Sequence, residues 1–193
     1  LQSMESRLAL LARKGDSRAF AELVNLYADK LYQLAFRLTG NRQEAEDVVQ
    51  ETFLRVYKHL DRYDETLKFS TWIYRIASNL CIDRLRKRRN VYSLDAQSGE
   101  HEDLDGYSML PGDERTPESE VLLSETQQMV HRAIESLPLK YRTVVVLRYL
   151  QDLSLQEIAE VLDVPVTTVK TRVHRAREYM RRKIAPLFRP DGG

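Results

Sequence analysis

Along NRQEAEDVVQETFLRVYKHL, apolar side chains return every three or four residues, at Val49, Phe53, Val56 and Leu60. That period belongs to an amphipathic helix with one buried stripe. Asn41 stands as its N-cap, and Glu44 completes a capping-box-like start. The segment before it, GDSRAFAELVNLYADKLYQLAFRLTG, opens on Asp16 as an N-cap and stops at Gly40, which suits the residue just past a helix. FSTWIYRIASNLCIDRLRKRR starts from a cap expected at Ser70 and runs without Gly or Pro to a basic end. Within it Ile73, Ile76, Ala77 and Leu80 can pack inward. These patterns predict a helical N-terminal domain over residues 4–90. The three residues ahead of Met4, LQS, read as lying outside the fold.

The last third of the chain repeats the helical period. Helices are expected over 119–135 and 138–150, and Ser154 with Glu157 forms a capping box ahead of LQEIAEVL. Asp163-Val164-Pro165 breaks that helix, because Pro165 disfavours helical backbone at Val164. A second helix then begins VTTVKTRVHRAR. Its apolar stripe is Val169, Val173, Ala176 and Met180, and Thr167, Thr171, His174 and Arg175 lie opposite, with Thr168 close by. Lys170, Arg172 and Arg177 sit on the shoulders. Small Ala159 falls where two helices cross, and Asp163 takes the turn position often filled by Gly. The unit predicts a helix-turn-helix in a C-terminal domain over 119–188. Short donors and a long Arg would face base edges, and the flanking cations would face phosphates.

Charge changes the picture more than composition does. The net charge is +1, yet the stretch 91–120 holds nine acids against one base, which leaves a net of +9 on the rest. Gly, Pro and Ser also concentrate there, so residues 91–118 read as a flexible acidic linker between two basic domains. The expected fold class is therefore all-α: two small helical domains joined by that linker. Cys81 is the single cysteine, so no disulfide can form within the chain and a reducing, cytoplasmic setting is expected. Cys81 itself reads as core, since free cysteine is among the most buried residue types. No apolar run approaches the roughly 18 residues that span a bilayer.

Two faces of the N-terminal domain ask for partners. Opposite the stripe of the Asn41 helix lie Asp47, Glu51, Leu54 and Lys58, and a leucine among charges suits docking on a basic helix. A stray exposed apolar residue is the plainer reading. Around the Ser70 helix stand Tyr63, Phe69, Trp72, Tyr74, Arg75 and Asn79, and the helix ends RLRKRR. Rings beside cations suit single-stranded nucleic acid, with bases stacked and the backbone followed by charge. Core packing of Trp72 or Phe69, and a basic helix end favoured by the macrodipole, would account for the same residues.

EAEDVVQETFLRVY, the Ser70 helix, the acidic linker and SLPLKYRTVVVLRYLQDLSLQEIAEVLDVPVTTVKTRVHRAR together resemble the extracytoplasmic-function (ECF) sigma factors of bacterial RNA polymerase. The similarity runs from Arg7 to Phe188 in the family's order. It implies that Asp47, Gln50, Glu51 and Leu54 dock on the clamp coiled coil of the polymerase β′ subunit, with the β subunit also in contact. It implies that the loop from Asp61 to Lys68 and the following helix read and melt the promoter −10 element. There His59, Tyr63 and Asn79 fall at the positions of a pocket for a flipped base, and Lys68, Trp72 and Arg75 lie in the same segment. The C-terminal domain would read duplex −35 DNA through Thr167, Thr168, Lys170, Thr171, Arg172, His174 and Arg175, with Arg148 added from the preceding helix. The family also implies a membrane-anchored anti-sigma factor, no direct membrane binding, no cofactor, and a linker threading the polymerase channels, where its acids could mimic nucleic acid.

Two other classes compete. A stand-alone helix-turn-helix regulator accounts for the C-terminal domain but leaves the aromatic–basic helix without a purpose, and no dimerisation helix is evident. An enzyme fits poorly. His59, His101, His131 and His174 are scattered, and neither metal-ligand spacing, a nucleophile motif nor a phosphate-cradling glycine loop is present.

Overall fold

The computed structural model describes residues 3–95 and 124–188, with 91–95 described by their backbone alone. The described residues form helices and turns, with no strand among them. The linker expected at 91–118 falls largely outside the described residues. Where the two meet, the helix expected to end near 90 continues through Asp95.

Helix α1 (Met4–Arg13) was not anticipated, and Ser3 caps it by accepting the Ser6 N–H at 3.2 Å. LQS therefore does not lie wholly outside the fold. Helix α2 (Ser17–Thr39) starts on Asp16, whose carboxylate accepts the Arg18 and Ala19 N–H groups, and ends at Gly40 in the left-handed region at φ 68°. Helix α3 (Arg42–Lys58) starts on the Asn41 side chain, which accepts the Glu44 N–H at 2.9 Å. After a 3₁₀ turn (Leu60–Arg62), α4 runs Phe69–Asp95. It begins at Phe69, one residue before the expected start, so Ser70 lies inside the helix rather than at its cap.

The buried stripe of α3 is Ala45, Val48, Thr52 and Val56, while Val49 and Phe53 are only partly buried. The expected stripe was thus rotated by about one residue. Small Ala45 and Thr52 let α3 lie close to its neighbours, and the Thr52 hydroxyl donates back to the Val48 carbonyl at 2.6 Å, which makes its burial tolerable. On α4, Phe69, Ile73, Tyr74, Ala77, Leu80, Cys81 and Leu85 are buried. Burial also pushes the Cys81 thiol up to about 12, with a small opposing effect of the Arg84 charge, so it is inert core. Tyr27, Phe69 and Tyr63 interlock edge to face at centroid distances of 5.5–5.6 Å.

The C-terminal domain holds α5 (Glu125–Glu135), α6 (Leu139–Val145) continued by a π turn (Val146–Leu150), α7 (Leu155–Leu162) and α8 (Val166–Ile184). Ser124 and Gln127 form a capping box at the start of α5, and residues 119–123 of the helix expected over 119–135 lie outside the described residues. Ser154 and Glu157 form the anticipated box on α7. Asp163 closes α7 in the left-handed region at φ 53°, and its successor Val164 donates to the Ala159 carbonyl at 3.1 Å. Pro165 leads into α8, where its missing N–H costs nothing.

The two domains pack together, and one buried apolar cluster runs through both. Helix α4 lies along α7, and α2 meets α6 and the π turn. Arg142 reaches from α6 to the Leu38 carbonyl at the end of α2, at 3.0 Å. Tyr74 donates to Gln151 at 2.7 Å, and Gln151 donates to the Lys30 carbonyl at 3.3 Å.

Candidate nucleic-acid interface

The C-terminal half of the interface is built by the α7–α8 turn. Val169, Val173 and Ala176 are buried, which turns Thr167, Lys170, Thr171, His174 and Arg175 outward, with Thr168 and Arg172 half-buried beside them. Thr171 donates its hydroxyl to the Thr167 carbonyl at 3.0 Å, which fixes its rotamer and leaves its lone pairs outward. Arg177 sits over the Tyr149 ring, 5.5 Å from its centroid, and its Nε donates to the Tyr149 hydroxyl at 2.5 Å. Arg148 turns inward instead, donating to the Leu153 carbonyl at 2.9 Å. In this conformation it braces the turn ahead of the helix-turn-helix rather than presenting its charge outward.

A shallow groove of about 300 Å³ opens beside the recognition helix α8, walled by Thr167, Thr171, Arg172 and Arg175 on one side and by Lys140 and Tyr141 on the other. Lys140 and Tyr141 carry no signal in a helical wheel of α8, because they come from the start of α6, some thirty residues earlier. They were not among the expected contacts.

In the N-terminal domain, Trp72, Arg75 and Asn79 recur at steps of three and four along one face of α4, and Lys68 stands just ahead of the helix, its carbonyl accepting the Trp72 N–H. Trp72 is half-buried against Tyr63 and Phe69, with centroids 5.4 and 5.9 Å away. Tyr63 is buried and its hydroxyl donates to the Leu67 carbonyl at 2.9 Å, with Ser6 Oγ at 3.1 Å, so it shapes the Asp61–Lys68 loop from within. Burial raises its phenol above the ordinary value, against the opposing Ser6 hydrogen bond. His59 closes α3 through its N–H to the Arg55 carbonyl at 3.0 Å. Asn79 is exposed. The cations of this face meet α7: Lys68 pairs with Glu157 at 2.5 Å, and Arg75 donates through Nε and Nη2 to the Glu160 carbonyl. The face expected to meet the −10 strand is therefore turned against the helix-turn-helix.

The third set lies on the outer side of α3. Leu54 is 53% exposed and Tyr57 65% exposed, the latter edge-on to Phe20 at 5.3 Å. Gln50 is exposed, Glu51 pairs with Arg55 at 2.9 Å, and Asp47 sits 3.7 Å from Arg84. Two arginines of the basic run after Asp83 are thus engaged with α3, since Arg88 also pairs with Glu44. Tyr57, three residues from Leu54, enlarges that apolar spot and escaped the sequence reading because an aromatic at this spacing resembles core.

Fold and faces together define a two-domain helical DNA-binding protein whose α3 also exposes Leu54 and Tyr57. Residues 23–91 match the family described as Sigma-70 region 2, and residues 127–180 match Sigma-70, region 4. The chain is 50% identical, over 175 residues, to the ECF RNA polymerase sigma factor SigW of Bacillus subtilis, covering 91% of this chain and 94% of that one. It belongs to the ECF sigma factors of RNA polymerase. Among solved structures, CnrH in complex with the cytosolic domain of CnrY shares the fold, with a TM-score of 0.70 and 24% identity over 95% of this chain and 99% of that one. So does the sigma factor RpoE of Bartonella quintana in complex with the anti-sigma factor NepR, at a TM-score of 0.66 and 23% identity over 86% and 96%.

Proposed function

We propose that the chain binds core RNA polymerase through Asp47, Gln50, Glu51 and Leu54, directs it to promoters, and helps to open them. The observation that carries this reading is the pairing of two DNA-directed faces on one chain, α8 with its outward Thr171, His174 and Arg175, and α4 with Lys68, Trp72, Arg75 and Asn79. A stand-alone regulator has use for the first face only.

In this reading α8 enters the major groove of the −35 element, where Thr171, His174 and Arg175 meet base edges and Thr167, Thr168, Lys170 and Arg172 hold phosphates. Arg148 joins them once released from Leu153. The α4 face, with His59 and Tyr63 lining the adjoining loop, takes the unpaired −10 strand. Capture of a flipped base there offsets unstacking, which costs on the order of a few kcal/mol. No chemical step is asked of the chain, and its contribution is binding energy. Because Lys68 and Arg75 are engaged by α7, the two domains must part before both faces can meet DNA. Docking of α3 on the polymerase β′ clamp, with the second domain held by the β subunit, would hold them apart. An anti-sigma factor, membrane-anchored in this reading, would hold the chain inactive. The two solved structures that share this fold are each complexes with a second protein, and the partner in that of Bartonella quintana is named an anti-sigma factor.

Run-off transcription from a pool of promoter fragments tests the reading. Specific initiation should require both this chain and core polymerase, and mapping the starts would define the two elements. Tight sequence-specific duplex binding by the chain alone, with no effect on core, would overturn it in favour of the regulator.

A further inference from the structure

The groove beside the recognition helix has a wall that the helix-turn-helix itself does not supply. Its cations are Lys140, Arg172 and Arg175, threonine hydroxyls stand among them, and no acid lines it. Lys140 is half-buried, and its ammonium lies 5.1 Å from the centroid of the Tyr141 ring. That cation–π contact helps to hold the side chain at the groove. The stem of Lys140 is in turn anchored by the fold. Leu139 beside it is buried, and the N–H groups of Tyr141 and Arg142 both bond the Pro138 carbonyl at 2.9 Å.

We propose that Lys140 is a phosphate contact of the −35 duplex and that Tyr141 is the residue that positions it. The inference rests on the reading of α8 as the −35 recognition helix and extends it to a residue from another helix. With α8 in the major groove, Thr171 and Arg175 face the base edges, so the strand backbone that borders them runs along the shoulder of α8. The groove between Arg172 and Lys140 lies on that shoulder. An anionic phosphodiester oxygen seated there meets one ammonium, one guanidinium and neighbouring hydroxyls. A base edge is a poorer fit, since a lone ammonium is a point charge with none of the paired donor and acceptor geometry that base reading uses. Lys140 therefore adds affinity and sets the angle at which α8 lies, without adding sequence preference.

The test uses the full chain assembled with core polymerase. Promoter-complex formation is measured for the unsubstituted chain, K140A, K140R and Y141L across a range of salt, on a set of −35 base variants. It is also measured on duplexes carrying one neutral methylphosphonate at successive positions around the −35 element. In K140A, affinity should fall by a similar factor on every −35 variant, and the slope of log affinity against log salt should shrink by about 0.9, the value for one phosphate. One methylphosphonate position should weaken the unsubstituted chain several-fold and K140A by a smaller factor, through the guanidinium contact that remains, with K140R restoring the larger effect and Y141L falling between. An unchanged slope in K140A, the same methylphosphonate profile in both proteins, or an altered ranking of −35 base variants would each overturn the inference while leaving the sigma reading intact. If the unsubstituted chain with core polymerase forms no promoter complex at all, the sigma reading fails and this inference falls with it.

Discussion

Lys68 and Glu157 stand 89 residues apart in the chain, yet the lysine Nζ donates to the glutamate Oε1 at 2.5 Å. The other oxygen of the same carboxylate accepts the Ser154 N–H at 2.7 Å, so one side chain both caps the first helix of the helix-turn-helix and ties it to the opposite domain. Burial on its own would raise the Glu157 carboxyl. The Lys68 hydrogen bond and charge and the Ser154 N–H together outweigh that and hold it below the usual carboxylate range. The Lys68 ammonium is correspondingly held above its ordinary value, chiefly by the Glu157 hydrogen bond. Beside them Arg75 grips the Glu160 carbonyl. Part of the charge on the α4 face is thus met by α7.

The paired shifts set a pH window for domain closure. Glu157 is depressed in the closed form, so its contribution is complete above the ordinary carboxylate range, near about 4.3, and is lost as pH falls through the depressed value. Lys68 is raised, so its contribution is complete below about 10.4 and is lost as pH rises through the elevated value. Because Lys68 is largely exposed, salt screens the pair and its net effect is of the order of 0.5 kcal/mol. E157Q keeps a capping side chain but removes the charge, and should lengthen the mean distance between fluorophores on the two domains at neutral pH. Identical distances in E157Q, at low salt and high, would refute the electrostatic account.

Leu54 makes a sharper separation between stability and binding. More than half exposed, it has little to lose on folding, so L54D should shift the free energy of unfolding by no more than about 0.5 kcal/mol. Placed in the docking face, the same change should weaken assembly with core polymerase by tenfold or more. Thermal melts and a core-binding titration check the two halves. A large loss of stability would show that Leu54 also supports the fold, and unchanged assembly would remove it from the docking face.

What could be read from the chain, and what could not, divides by the range of the interaction. Asp16, Asn41, Gly40 and the Ser154–Glu157 box act on backbone groups within four residues, so their chemistry is visible in a short string. The face of α3 that turns inward is decided by helices packed around it. Thr52, whose hydroxyl can bond its own helix, takes the buried place expected for Phe53 there. Among site residues, the outward faces of α8 and α3 were legible because burial of one stripe dictates the other. The inward turns of Tyr63 and Arg148, and the Lys140 wall, depend on partners that no helical period records.

Asp163 carries the turn that aims α8. At φ 53° and ψ 51° it occupies left-handed backbone, which glycine adopts freely, aspartate tolerates and β-branched residues resist. D163G should therefore leave the stability of the C-terminal domain within about 0.5 kcal/mol, and D163V should lower it by about 1–2 kcal/mol. Denaturant titrations supply the comparison. Equal behaviour of the two variants would mean that the turn rearranges to relieve the valine.

Arg142 is a buried cation held by carbonyls. Its side chain donates to the Leu137 carbonyl through Nε at 3.3 Å and Nη2 at 3.0 Å, and to Leu38 of the other domain through Nη1 at 3.0 Å. Burial lowers its pKa, with Glu135 opposing, but a guanidinium remains charged at any pH the fold meets. Removing the fork takes the arginine donors away from the Leu137 and Leu38 carbonyls. R142M keeps most of the volume and should cost about 2–4 kcal/mol, since a hydrogen bond to a charged group is worth about 1.5–3 kcal/mol. R142K should fall between, because a single ammonium cannot span both carbonyls as the planar fork does. The Leu137 bonds lie within the C-terminal domain, so most of the loss should persist if, as proposed, the domains part on binding polymerase. Urea titrations of the free chain measure the total, and amide exchange at Leu139–Val145 in the assembled complex measures the part that remains. An R142M chain as stable as the unsubstituted one would show that methionine packing replaces the charge network.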